Sequence, residues 1–113
     1  MNKVKIDKYD RIVSRLAKLK WPRCRNCGRS GVLNAHHIMP RGRSNTRYLI
    51  DNLLILCVVC HIFGPDSVHR NPKGSKKFCV KIIGEKEYLR LEKLSLVYKS
   101  RAKAKKEFYE SLK

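Results

Sequence analysis

Two Cys-x-x-Cys pairs, Cys24-Arg25-Asn26-Cys27 and Cys57-Val58-Val59-Cys60, stand 29 residues apart in this chain. Each pair lets two sulfurs converge from one tight turn, so four thiolates in this arrangement can close a tetrahedral structural zinc site. A fold that uses them must bring residue 27 back against residue 57. Gly28, directly after the first pair, supplies the backbone freedom such a turn needs. Two disulfides are a competing reading, as is a single redox pair beside buried thiols, but the latter leaves the second pair unexplained. The charged opening Met1-Asn2-Lys3-Val4-Lys5 has no apolar leader. The longest apolar run, 53–60, falls far short of the roughly 20 residues that span a bilayer. The expectation is a soluble, cytoplasmic protein with no membrane partner, where paired cysteines hold metal more often than they form disulfides. Cys79 has no partner in the pattern and reads as a small buried hydrophobe.

The charge points to the partner. Lys and Arg number 27 against 9 Asp and Glu, a formal +18. A field of this sign and size attracts polyanions, nucleic acid before anionic membrane. Ten of the basic residues fall between positions 11 and 50, a stretch with no acid at all. Solubility alone requires neither one sign nor such an excess. Nucleic acid is the expected partner.

A chain of 113 residues has room for one domain with a thin core, and 42% hydrophobic residues exclude full disorder. Ile6, Tyr9, Ile12, Val13, Leu16 and Leu19 recur at helical spacing, with Asp7 placed to cap the helix and Pro22 to end it. The runs 32–38 and 53–59 read as strands, joined by an Arg-rich loop over 41–47. A helix starting near Cys60 should be cut short by Gly64-Pro65. After the polar loop at 71–75, Phe78, Val80, Ile82 and Ile83 fit either a short helix or a strand closed by Gly84. Helical patterns follow from Glu85 and from Arg101, the second with Phe108, Tyr109 and Leu112 as its apolar side. The fold class is α+β, a single unit over 1–113. It comprises an N-terminal helix (1–22), a zinc-bound two-stranded core (23–66) and a basic helical C-terminal arm (67–113) that packs on the core or on a second copy as a homodimer.

Three of the four histidines lie at the centre of this arrangement: His36 and His37 in the first strand, His61 directly after the second cysteine pair. Successive strand side chains point to opposite faces, so His36 and His37 cannot do the same job unless the strand ends between them. A zinc frame, a histidine pair, Asn52 and a further histidine inside a basic field argue against purely structural histidines.

These residues resemble the HNH, or ββα-metal, nucleases. His37, Asn52 and His61 look like that family's three named positions, at separations of 15 and 9 residues, and many members carry the two cysteine pairs. The core resemblance covers about residues 24–63. More of the chain resembles the phage NinG/Rap recombination endonucleases: the helix over 7–19, Cys27-Gly28, Thr46-Arg47-Tyr48 before Asn52, Cys57-Val58-Val59-Cys60 and Ile83-Gly84-Glu85. His61 and His36 stand where that subgroup usually has Asn and Gly.

The resemblance implies a metal-dependent DNA endonuclease, in which His37 is the general base and His36 and His61 hold one divalent cation (Mg2+, Mn2+, Ni2+ or Zn2+). Asn52 would either orient His37 through nearby backbone, the preferred role, or act as an oxygen ligand. Arg41, Arg43 and Arg47 would clamp phosphate oxygens. Asp51 and Asp66 are the sole carboxylates between residues 11 and 84, too few for the bridging acids of a two-metal site. The rival reading is a non-catalytic zinc-ribbon DNA-binding adaptor, and RNA remains an alternative substrate.

Overall fold

The computed structural model describes residues 5–63 and 74–113. Gly64-Pro65, Asp66 and the polar loop up to Lys73 lie outside the described residues.

Helix α1 (Lys8–Lys20) begins where its sequence says it should. Asp7 accepts from the Asp10 backbone N–H and Asp10 accepts from that of Asp7, both at 2.9 Å, so two backbone donors with no partner inside the helix are satisfied at once. The helix ends at Trp21, whose N–H reaches the Ala17 carbonyl at 2.8 Å, one residue before Pro22. Val13 and Ala17 are fully buried, but Leu19 is 77% exposed despite its helical spacing. The apolar stripe of α1 is therefore narrower than its periodicity implies.

Strands β1 (Leu33–His37) and β2 (Leu53–Cys57) form an antiparallel pair with Leu33 opposite Cys57 and His37 opposite Leu53. Both are shorter than expected. Val32 is exposed before β1, and the chain after Cys57 leaves the ladder for a five-residue π-helical turn, Val59–Phe63. That turn is where the short helix after the second cysteine pair was expected.

Every residue of β2 is buried, and strand alternation divides its four aliphatic residues between two cores. Leu53 and Ile55 pack with Val13, Ala17, Tyr48 and Phe108, whereas Leu54 and Leu56 pack with Cys24, Cys57 and Cys79. One face of the hairpin thus belongs to α1, the other to the cysteines.

Between the strands the Arg-rich loop contains a short helix, α2 (Ser44–Arg47), and a 3₁₀ turn, Ile50–Asn52. The ambiguous run becomes helix α3 (Ser75–Ile83), which buries Cys79. Gly84, at φ 89°, breaks it and lets α4 (Glu85–Leu96) start at the next residue, a backbone conformation that a side chain would strain. Helix α5 (Arg101–Ser111) is capped by Ser100 and returns to the first core. There Phe108 meets Tyr9 and Tyr48 at ring distances of 6.0 and 5.8 Å. The C-terminal arm accordingly packs on the core through Ala104 and Phe108, while Tyr109 and Leu112, expected on its apolar side, stay 54% and 45% exposed. Among the described residues no helix is long and apolar enough to cross a membrane.

Candidate metal centre and active site

The first cysteine pair sits on a tight loop whose ends are tied together. The Gly28 N–H reaches the Cys24 carbonyl and the Cys24 N–H reaches that of Arg29, both at 2.9 Å. Gly28 takes φ 80°, so the freedom expected of it is used. The Arg25 N–H then bonds the Ile55 carbonyl at 2.9 Å, which pins the loop to β2 beside the second pair.

The four sulfurs of Cys24, Cys27, Cys57 and Cys60 all lie within 4.8 Å of one another, with Cys27 and Cys57 at 3.7 Å. A tetrahedron with Zn–S bonds of about 2.3 Å has edges of about 3.8 Å, so the donor set fits zinc. Burial pushes the Cys24 thiol up, but backbone donors from Cys27, Cys57 and Asn26 outweigh it and bring the group down to about 6. Cys60 goes the other way, to about 12, through burial and its sulfur neighbours, although the Asn26 amide donates to it at 3.3 Å. Four thiolates cannot share this space without a cation among them. Cys79 lies in the same apolar cluster, with its thiol raised to about 11 by burial, and stands outside the four-sulfur group.

On the other side of the hairpin end an open cavity of ≈ 560 Å³ is lined by His36, His37, His61, Lys18 and Arg41. Cross-strand partners share a face, so the register decides which way each histidine looks. His36 sits opposite Leu54, on the cysteine side, and its ring lies 5.3 Å from that of His61. His37 sits opposite Leu53, on the α1 side. The two side chains diverge from the strand yet both border one cavity, because β1 ends at His37.

His37 Nε2 donates to the Arg47 carbonyl at 3.2 Å. A carbonyl can only accept, so the hydrogen is on Nε2 and the lone pair is on Nδ1. Burial lowers the imidazole below its usual 6.5, while the Asp10 carboxylate, 3.9 Å away, acts in the opposite sense. His37 is thus neutral at neutral pH, with one nitrogen able to take a proton.

Asn52 is fully buried, and both ends of its amide are committed to one residue. Its Oδ1 accepts from the Met39 N–H at 2.8 Å and its Nδ2 donates to the Met39 carbonyl at 3.1 Å, while the Ile38 N–H bonds the Asn52 carbonyl at 2.8 Å. These bonds extend the hairpin past β1 and fix the backbone directly after His37. Asn52→Ala leaves two buried backbone groups without partners and is expected to cost about 2–6 kcal/mol, at about 1–3 kcal/mol per group. Chemical denaturation of the purified variant measures it.

The three arginines of the loop separate. Arg41 lines the cavity, and Arg43 is exposed at the start of α2 and does not. Arg47 was expected to clamp phosphate, but it is only 1% exposed. Its Nε and a terminal nitrogen bond the two Asp10 oxygens at 3.1 and 2.7 Å, and the same terminal nitrogen reaches the Lys5 carbonyl at 2.8 Å. It belongs to the interior, because a buried guanidinium requires a buried carboxylate and α1 provides one.

Sequence reasoning did not find Asp10, which is 4% exposed, or Lys18 on the cavity wall. The one available signal was position: Asp10 is the last acid before the long basic stretch. Asp51 is half-exposed and faces Lys20 and Arg90 at 3.6 and 3.3 Å, and Asp66 lies outside the described residues.

No curated protein and no solved structure matches this chain. Residues 24–62 match the family model described as HNH endonuclease. The four cysteines, the hairpin, the three cavity histidines and Asn52 all fall within that span, so both the cysteine cluster and the cavity lie in the part of the chain that is similar to HNH endonucleases.

Proposed function

We propose that this protein is a metal-dependent DNA endonuclease that hydrolyses phosphodiester bonds by a one-metal mechanism with His37 as general base. The observation that carries this reading is the meeting of His36, His37 and His61 at one cavity inside the HNH match. His37 takes a proton from water at Nδ1, and the hydroxide formed attacks phosphorus and expels the 3′ oxygen. His36 and His61, whose rings lie 5.3 Å apart on the cavity wall, offer imidazole nitrogens, a donor type that would suit a divalent ion with open positions. Such an ion, when bound, supplies Lewis-acid stabilisation of charge on the phosphate and the leaving oxygen. Asn52 acts as an orienter, since its amide is fully buried with both ends bonded to the Met39 backbone. Arg41, with Arg43 beside it on the loop, holds the phosphate backbone.

The chain acts as one unit over 1–113 in the cytoplasm, with zinc as its structural ion. A phage recombination role on branched DNA and a homodimer through the C-terminal helices are the finer forms of this reading. Nicking of supercoiled plasmid in Mg2+, Mn2+ or Ni2+, run beside a four-way junction oligonucleotide and an RNA, tests it. Cleavage that needs the divalent ion is expected, fastest on the junction if the branched-DNA form holds. Tight DNA binding without cleavage in any of these ions would mean a zinc-ribbon adaptor instead.

Binding should depend steeply on salt, because each phosphate contact displaces condensed counterions and contributes about 0.9 to the log–log slope. Arg41→Ala/Arg43→Ala is expected to lower that slope by about 2 while leaving the zinc content unchanged. Fluorescence anisotropy on a labelled duplex between low and physiological salt measures the change. An unaltered slope would make the loop a solvated connection.

A further inference from the structure

Two side chains buried between α1 and α2 carry charge that neither zinc binding nor cleavage has so far required. Asp10 is 4% exposed and Arg47 is 1% exposed, and they meet in a two-bond contact at 2.7 and 3.1 Å. The ordinary explanation is that they tie α1 to α2. The neighbouring Tyr48 already helps with that, since its hydroxyl donates to Asp7 at 2.6 Å. What sets Arg47 apart is its backbone. Arg47 is the last residue of α2, so its carbonyl has no partner within the helix, and the donor it receives is His37 Nε2 at 3.2 Å. The residue whose side chain Asp10 clamps is the residue whose carbonyl holds the base.

We propose that Asp10 and Arg47 are a positioning pair through which α1, outside the matched span of 24–62, fixes the Arg47 carbonyl on His37 and so selects the tautomer that leaves Nδ1 free for water. This rests on the reading of His37 as general base. The clamp has its own support. The Asp10 oxygen that accepts from the Arg47 terminal nitrogen also accepts from the Asp7 N–H at 2.9 Å, so the first turn of α1 sets the carboxylate. The Lys5 carbonyl holds that terminal nitrogen from a further direction at 2.8 Å. Both the distance and the direction of the bond to His37 therefore depend on contacts outside the HNH span. Asp10 and Arg47 touch no substrate; they act on His37 through the carbonyl, and the Asp10 carboxylate also faces the same Nε2 at 3.9 Å.

Removing one partner alone would strand the other as a buried charge and unfold the site, so the informative variant replaces both with apolar side chains of similar volume, Asp10→Leu/Arg47→Met. With zinc content and melting temperature retained, the expected result is a fall of about 100-fold in kcat with KM for DNA within about twofold, the pattern of a misplaced base rather than of lost binding. Tyr48→Phe removes the other tie between α1 and this segment and should leave kcat within about twofold. A second readout needs no substrate: the ¹⁵N shifts of the His37 ring, assigned against His37→Gln, should report the Nε2–H tautomer in the unmodified protein and a mixture in the double variant. A folded double variant with unchanged kcat overturns the pair, as does a rise confined to KM, which would make Arg47 a binding residue. If the double variant does not fold, an Nδ1–H tautomer in the unmodified protein overturns it and an Nε2–H tautomer supports it. Failure of the unmodified protein to cleave DNA would instead remove the general-base reading, and the tautomer would still show whether the pair sets the ring.

Discussion

Replacing Cys27 or Cys60 by Ser is expected to remove about one zinc ion per chain and most of the stability of the fold. Zinc binding by a four-thiolate site is worth about 10–16 kcal/mol, against a total stability of about 5–15 kcal/mol for a typical domain. The consequence reaches beyond the cysteines. Cys24 and Cys57 pack against Leu54 and Leu56, so one of the two cores is built directly on the four-sulfur group, and β2 carries residues of both. The loss of the ion should therefore loosen the hairpin that presents His36 and His37. Metal analysis together with thermal melting and limited proteolysis provides the check. Cys79→Ser is the control, because Cys79 is more deeply buried than Cys27 or Cys60 but lies outside the four-sulfur group, and it should keep the zinc. A zinc-free Cys60→Ser protein that stays folded and protease-resistant would show that the ion is not structural.

The parts of this molecule that sequence made legible are those with short-range causes. Asp7 announced the start of α1 because a cap acts within one turn, and Leu53-Leu54-Ile55-Leu56 announced a strand buried on both faces because nothing in it could face water. The cysteine pairs and the opposed facing of His36 and His37 followed from spacing and from strand alternation in the same way. Other features depend on what lies across the fold. Leu19 and Val32 continue apolar patterns, yet a thin core had no surface left to cover them. The run from Phe78 to Ile83 fitted two periods, and packing against the cysteine core decided for helix. Arg47 read as one loop arginine among three because its carboxylate is 37 residues away, and neither charge density nor periodicity links the two positions. The resemblance draws attention to Thr46-Arg47-Tyr48 without saying why; all three residues are buried, which makes that tripeptide interior rather than loop.

The proposed division of labour among the cavity histidines predicts the largest change in activity. His37→Ala removes the group that takes the proton and leaves His36, His61 and the cysteines in place, so cleavage should fall by about 10²- to 10⁴-fold while DNA binding and zinc content persist. The pH dependence has a definite sign. The base works only when unprotonated, and burial holds His37 below its usual 6.5, so the rate should be level near neutrality and decline only as pH falls through that lowered value. His36→Ala and His61→Ala should behave differently, raising the divalent-ion concentration needed for cleavage without moving the acid limb. The measurement that tests the account most directly is the plasmid nicking rate of His37→Ala, His36→Ala and His61→Ala, each titrated with Mg2+, Mn2+ and Ni2+ beside the unmodified protein. The expected result is a His37→Ala rate that no ion restores, and rates for the other two that recover in part at high concentration. Cleavage by His37→Ala close to that of the unmodified protein would contradict it.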